Sequence, residues 1–129
     1  MKTAVYVRCA TFSTQAIHEQ LERCNLTAGR MGLSVGTDAI YIDNGVSGAR
    51  TPSERAAWGG LHSSLLHGEV TTLLVDEPSR LSRSFEDLAL LLSLCQEHGV
   101  RVVAADRGRE LTLDCLVLDL VGPRGTRRH

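Results

Sequence analysis

Residues 71–84, TTLLVDEPSRLSRS, decide the fold. The apolar run Leu73-Leu74-Val75, bounded by Gly68 and Pro78, reads as a buried strand. Asp76, Glu77 and Pro78 end it, and Arg80 and Arg83 follow three residues apart, on one side of a helical turn. Ligands of α/β folds bind at the carboxyl ends of the strands, so two guanidiniums emerging there predict a site for phosphate or another anion. A solvated helix start shows the same spacing. The rest of the chain has to separate the two readings.

Outward from this segment, strands and helices alternate. Residues 4–7 (AVYV) predict a first strand, and residues 15–31 carry Ile17, Leu21, Cys24 and Ala28 at helical spacing before Gly32 stops the helix. Residues 39–42 (AIYI) predict a second strand running into the turn Asp43-Asn44-Gly45. Residues 46–52 read as a mobile loop, and Pro52-Ser53-Glu54 as the start of a helix whose apolar side is Ala57, Leu61, Leu65 and Leu66. Beyond the 71–75 strand, residues 85–98 predict a helix closed by Gly99, and residues 100–105 a further strand. This order predicts an α/β fold of three layers, a mostly parallel sheet flanked by helices.

A chain of 129 residues, 43% hydrophobic and 22% charged, is a single domain large enough for a real core. No run is long and apolar enough to span a bilayer and the N-terminus lacks a signal-peptide pattern, so the expected location is the cytoplasm. The net charge of −1 excludes bulk electrostatic capture of nucleic acid, so any DNA contact must be local. Lys2 is the only lysine, and the preference for arginine suits planar, bidentate phosphate binding, as it also suits a coding bias. Cys9, Cys24, Cys95 and Cys115 form no CxxC pair, and the five histidines no spaced cluster, so neither a metal nor a disulfide scaffold is expected.

Four separated motifs occur together: Tyr6-Val7-Arg8-Cys9-Ala10-Thr11 with Gln20 downstream, Asp43 with Ser47-Gly48, Arg55, and Arg80-Leu81-Ser82-Arg83-Ser84. In order and spacing they resemble the catalytic domain of serine recombinases, the resolvase/invertase family, over roughly residues 3–107. The resemblance implies strand cleavage and exchange on double-stranded DNA through a phosphoserine intermediate, without metal or cofactor. It places Tyr6, Arg8, Gln20, Arg55, Ser79, Arg80 and Arg83 in the catalytic site, and Arg8, Ser47, Arg55, Arg80 and Arg83 on the DNA phosphate. Gln15 competes with Gln20, and Arg50 with Arg55. Phosphoryl transfer needs an activated oxygen and fixed positive charge on the non-bridging oxygens, which such a set supplies.

Two positions depart from the pattern. Ala10 stands where the family has its nucleophilic serine, so the resemblance implies a chain inactive in cleavage; Thr11, Ser13 and Ser47 are the nearby hydroxyls. Ser79 stands where many members carry an aspartate, removing a proton-handling group. The expected organisation is a catalytic domain over residues 1–107, the start of a dimerisation helix over 108–121, and a disordered basic tail over 122–129, in a homodimer or larger assembly. Two rivals remain. One is a decayed recombinase fragment acting only as a dimerisation, regulatory or DNA-binding module, for which Ala10 is the discriminating feature. The other is a small phosphate-binding α/β protein, which lacks a phosphate loop in this sequence.

Overall fold

The computed structural model describes residues 2–47, 55–82 and 84–114. Its elements are β1 (Lys2–Cys9), α1 (Thr14–Met31), β2 (Val35–Asn44), α2 (Ala56–Leu66), β3 (Val70–Val75), α3 (Phe85–Glu97), β4 (Arg101–Ala104) and β5 (Arg109–Glu110), with a 3-10 turn over Pro78–Arg80. The strands form one sheet in the order β2-β1-β3-β4-β5, parallel except for β5. β2 runs from Val35 rather than from residue 39; as the edge strand it exposes Asp38, which breaks the apolar pattern that marks a strand in sequence. β5, two residues long, carries no sequence signal of its own.

Side chains alternate across β1, and helices cover both faces. Ala4 and Tyr6 join Leu73, Val75, Val102 and Ala104 under Trp58, Leu61 and Leu65 of α2 and Leu88, Leu91, Leu92 and Cys95 of α3. Val5, Val7, Leu74 and Val103 face Ile17, Cys24 and Ala28 of α1. Coverage of both faces explains why the inner strands read as continuous apolar runs.

Helix α1 starts where Ser13 Oγ accepts the Ala16 N–H at 3.1 Å, and ends at Gly32, whose φ of 69° favours a residue without Cβ. Helix α2 begins at Ala56; the expected start at residues 52–54 lies outside the described residues. So do residues 48–51 of the expected loop, residues 115–121 of the expected C-terminal helix and the tail 122–129, while residues 113 and 114 are helical. Arg80 lies in the 3-10 turn, not on the first turn of a helix, and α3 starts only at Phe85 behind its cap Ser84.

The sheet order fixes where a ligand can enter. From β1 the chain crosses to β2 on one side and returns to β3 on the other, so the crevice at the carboxyl ends of β1 and β3 is the switch point of the fold. The 3-10 turn carrying Ser79 and Arg80 leaves β3 at that place.

Candidate active site

Arg8, near the end of β1, is 3% exposed, and its fork gathers three loop carbonyls. Nε donates to Arg80 O at 3.0 Å, Nη2 to Ser79 O at 2.7 Å, and Nη1 to Val46 O at 2.9 Å. One buried side chain thereby joins the end of β1, the loop after β2 and the turn after β3. Carbonyl partners satisfy the donors of a guanidinium that burial would otherwise penalise.

Gln20 sets the backbone that carries Arg8. Its Oε1 accepts the Arg8 N–H at 3.3 Å and its Nε2 donates to the Arg8 carbonyl at 2.9 Å. On the β2 side, Gly45 and Val46 N–H groups already bond Cys9 O, so by alternation Arg8 presents its backbone toward β3. The ladder between β1 and β3 stops at Tyr6 and Val75, and the carboxamide of Gln20 takes the place of the departed strand. Gln20 is 1% exposed, whereas Gln15 lies on the surface and donates to Glu19 Oε2. The amide brought to the site is therefore that of Gln20.

Tyr6 points into the core beneath α2, not into the crevice. Its hydroxyl donates to Asp43 Oδ2 at 2.7 Å and its ring meets Trp58 edge-on, with centroids 5.5 Å apart. Burial, then the Asp43 carboxylate, raises its pKa, and the neighbouring Arg55 guanidinium acts against them. Asp43 also accepts Ala57 N–H at 2.9 Å and Trp58 N–H at 3.2 Å, so it caps α2 from a distance while Arg55, at the N-cap position, makes no side-chain cap. The guanidinium of Arg55, whose residue is 1% exposed, reaches the Leu81 carbonyl instead. Its Nη1 donor thus ties α2 to the loop following Arg80.

Ala10 is exposed, directly after β1 and two residues beyond Arg8. Of the nearby hydroxyls, Ser13 is committed to capping α1 and its own N–H to Asn44 Oδ1 at 2.9 Å; Thr11 is exposed, and Ser47 is half-buried in the loop after β2. Ser79 Oγ donates to Glu77 Oε1 at 2.7 Å. Arg80 lies with Nη2 3.7 Å from both Asp76 Oδ2 and Glu77 Oε2. Arg83 and Arg50 lie outside the described residues. The structure thus brings Arg8, Gln20, Arg55, Ser79 and Arg80 together around the strand ends, and sets Tyr6 behind them as support.

Sequence reasoning read Asp43 only as a turn and motif residue and Asp76 only as a strand end, gave neither a place in the site, and passed over Arg23. Asp76 is 2% exposed and takes a bidentate pair from Arg23 of α1, at 2.6 and 2.8 Å. Acids directly at the ends of apolar strands were the available signal. Among the described residues no group of three or more His, Cys, Asp or Glu is placed to hold a metal ion, and no helix is long and apolar enough to cross a membrane.

Residues 3–121 match the family model of the resolvase N-terminal domain. The chain belongs to the resolvase family. Among solved structures, this resolvase domain is similar to the N-terminal catalytic domain of TP901-1 integrase, with 26% identity, a TM-score of 0.78, and coverage of 99% of this chain and 96% of that one. It also shares its fold with a resolvase family site-specific recombinase from Streptococcus pneumoniae, at 20% identity and a TM-score of 0.74, covering 99% of this chain and 89% of that one. The C-terminal catalytic domain of ISC1926 TnpA, an IS607-like serine recombinase, aligns at 20% identity and a TM-score of 0.71, over 94% of this chain and 78% of that one. A search of curated proteins finds no match. The five-stranded, mostly parallel sheet with flanking helices is the expected fold, and the resemblance read from the four motifs is to the right family.

Proposed function

We propose that this chain is the catalytic-domain scaffold of a serine site-specific DNA recombinase, acting in the cytoplasm, that binds a DNA phosphodiester where its relatives cleave one. The observation that carries the reading is the position of Ala10. It follows β1 two residues after Arg8, whose guanidinium fixes the carbonyls of residues 46, 79 and 80 around the same strand ends. A methyl group there offers no nucleophile, and a neighbouring hydroxyl does not replace it. One residue along an extended chain is more than 3 Å, whereas reactive geometry tolerates about 1 Å, and Ser13 is in addition spent on the helix cap. Arg80, Arg83, Arg8 and Arg55 supply the positive charge, Gln20 holds the backbone of Arg8, and Ser47 and Ser79 line the loops.

The same reading divides the chain into a catalytic part, a dimerisation helix and a basic tail, and gives it a second copy as partner. The helix expected over 108–121 does not start at 108, because Arg109 and Glu110 pair with β4 as β5 and helix begins only at residue 113. Self-association is supported by large apolar side chains on the surface of α3, with Leu90 69% and Phe85 41% exposed. Ala10→Ser, fused to a DNA-binding module and incubated with a nicked suicide substrate, is expected to form a covalent protein–DNA adduct, while the fused Ala10 chain forms none. No adduct from the serine variant, or an equal one from both chains, would sink the assignment of residue 10. The alternative of a regulatory fragment shares the scaffold and the missing nucleophile. It differs in predicting suppression of an active relative by mixing, with no gain on restoring the serine.

A further inference from the structure

Two guanidiniums compete for one buried carboxylate at the end of β3. Arg23 holds it: Nε lies 2.6 Å from Asp76 Oδ1 and Nη2 2.8 Å from Oδ2, so both oxygens are engaged by one planar fork. Arg80 stands four residues after Asp76 with Nη2 3.7 Å away, beyond hydrogen-bond reach, and its Nε is buried without a hydrogen-bond partner. The second carboxylate near Arg80, Glu77, is likewise 3.7 Å away and accepts from the Ser79 hydroxyl. Arg80 is therefore flanked by two anions and hydrogen-bonded to neither.

That arrangement is unstable to one change. A carboxylate as buried as Asp76 is costly without a partner, so if Arg23 withdrew, a shift of about 1 Å would bring Arg80 onto it. We propose that Arg23, outside the crevice on α1, is a positioning residue for Arg80: by saturating Asp76 it keeps the Arg80 guanidinium undocked and available to a phosphate oxygen. The proposal rests on the reading of Arg80 as phosphate-binding. Arg23 does not touch the phosphate; it acts through Asp76.

The test uses the full chain, the Arg80 Nε–H signal in NMR (assigned by its loss in Arg80→Lys), and inorganic phosphate as probe at constant ionic strength. Without phosphate, Arg23→Gln is expected to shift the Arg80 signal as the side chain docks on Asp76, and Arg23→Gln/Asp76→Asn to return it. With phosphate, Arg23→Gln should weaken binding at Arg80 at least about threefold, and the double variant should recover to within about twofold of the native chain, the pattern of coupled neighbours. Asp76→Asn alone should bind at least as well as the native chain, which keeps the test open if Arg23→Gln fails to fold. An Arg80 signal unmoved by Arg23→Gln, or a loss that Asp76→Asn does not restore, overturns the proposal. A native Arg80 signal insensitive to phosphate refutes the phosphate-binding reading instead, and the phosphate-free comparison still decides whether Arg23 positions Arg80.

Discussion

Replacing Gln20 by leucine removes the carboxamide that accepts from the Arg8 N–H and donates to the Arg8 C=O, while keeping the volume of a side chain that is 1% exposed. Each buried backbone group left without a partner costs about 1–3 kcal/mol, so the pair lost with Gln20→Leu predicts a destabilisation of about 3 kcal/mol. Gln20→Glu separates the two bonds. At neutral pH its carboxylate can accept from Arg8 N–H but sets an oxygen anion against Arg8 C=O, and only the protonated acid can donate there. Burial and that donated bond raise the folded pKa of the new acid above its unfolded value of about 4.3, so its stabilisation is present below that pH and is lost as pH rises through the raised value. Urea unfolding at pH 7 and at pH 4.5, each referenced to the native chain, should show the deficit of Gln20→Glu shrinking on acidification and that of Gln20→Leu unchanged. Gln15→Leu, on an exposed amide that reaches only Glu19, should cost under about 0.5 kcal/mol. A Gln20→Leu deficit below about 1 kcal/mol, or one equal to that of Gln15→Leu, would refute the view that the carboxamide completes the sheet edge.

Two further outcomes follow from the core. Burial pushes Cys24 up to about 12 and Cys95 up to about 11 and raises Tyr6 as well, so these groups stay protonated in the fold while an unfolded thiol ionises near pH 9. Stability should hold up to about pH 8 and then fall by about 1.4 kcal/mol per pH unit for each group ionised only in the unfolded chain; urea midpoints that stay flat from pH 8 to pH 10.5 would contradict this. Gly59 sits inside α2, where an added Cβ meets nothing within 4 Å. Gly59→Ala should stabilise by about 0.5–1 kcal/mol, raising the melting midpoint by about 2–4 °C, and a lowered midpoint would place an unseen neighbour there.

The sheet was legible because β1, β3 and β4 are covered on both faces, so their inner stretches, residues 4–7, 73–75 and 102–104, are unbroken apolar runs, and because Gly32, Pro78 and Gly99 punctuate the chain. The ends of β2 were not, since an edge strand tolerates residues such as Asp38 that a buried one does not. In the site, residue types were legible and their partners were not. Arg8 bonds backbone carbonyls of residues 46, 79 and 80, and a carbonyl leaves no mark in a sequence. Arg23 stands among Glu19, Glu22 and Asn25 on a helix face that reads as solvated, and only the crossover of α1 beside the end of β3 brings it to Asp76, 53 residues on. Asp43 likewise caps a helix whose own N-cap residue is an arginine, so local capping rules could not find it.

On the proposed reading, in which Ala10 stands at the nucleophile position, an alanine there and the arginines around it have one physical explanation. Arg8 and Arg55 are bound to the fold through carbonyls of the loops after β2 and β3, and Arg23 through a buried carboxylate, so each is fixed by interactions that do not involve residue 10. Removing any of them leaves buried polar groups without partners, which costs about 1–3 kcal/mol per group. Residue 10, by contrast, is exposed in a loop after β1, where serine and alanine differ little in their effect on the fold. On that reading an exchange at this position removes the hydroxyl at little cost to folding, because the fold depends on the buried arginines and not on residue 10. Ala10→Ser is correspondingly expected to change chemistry with almost no change in structure, which makes the adduct assay a test of the site and not of the fold.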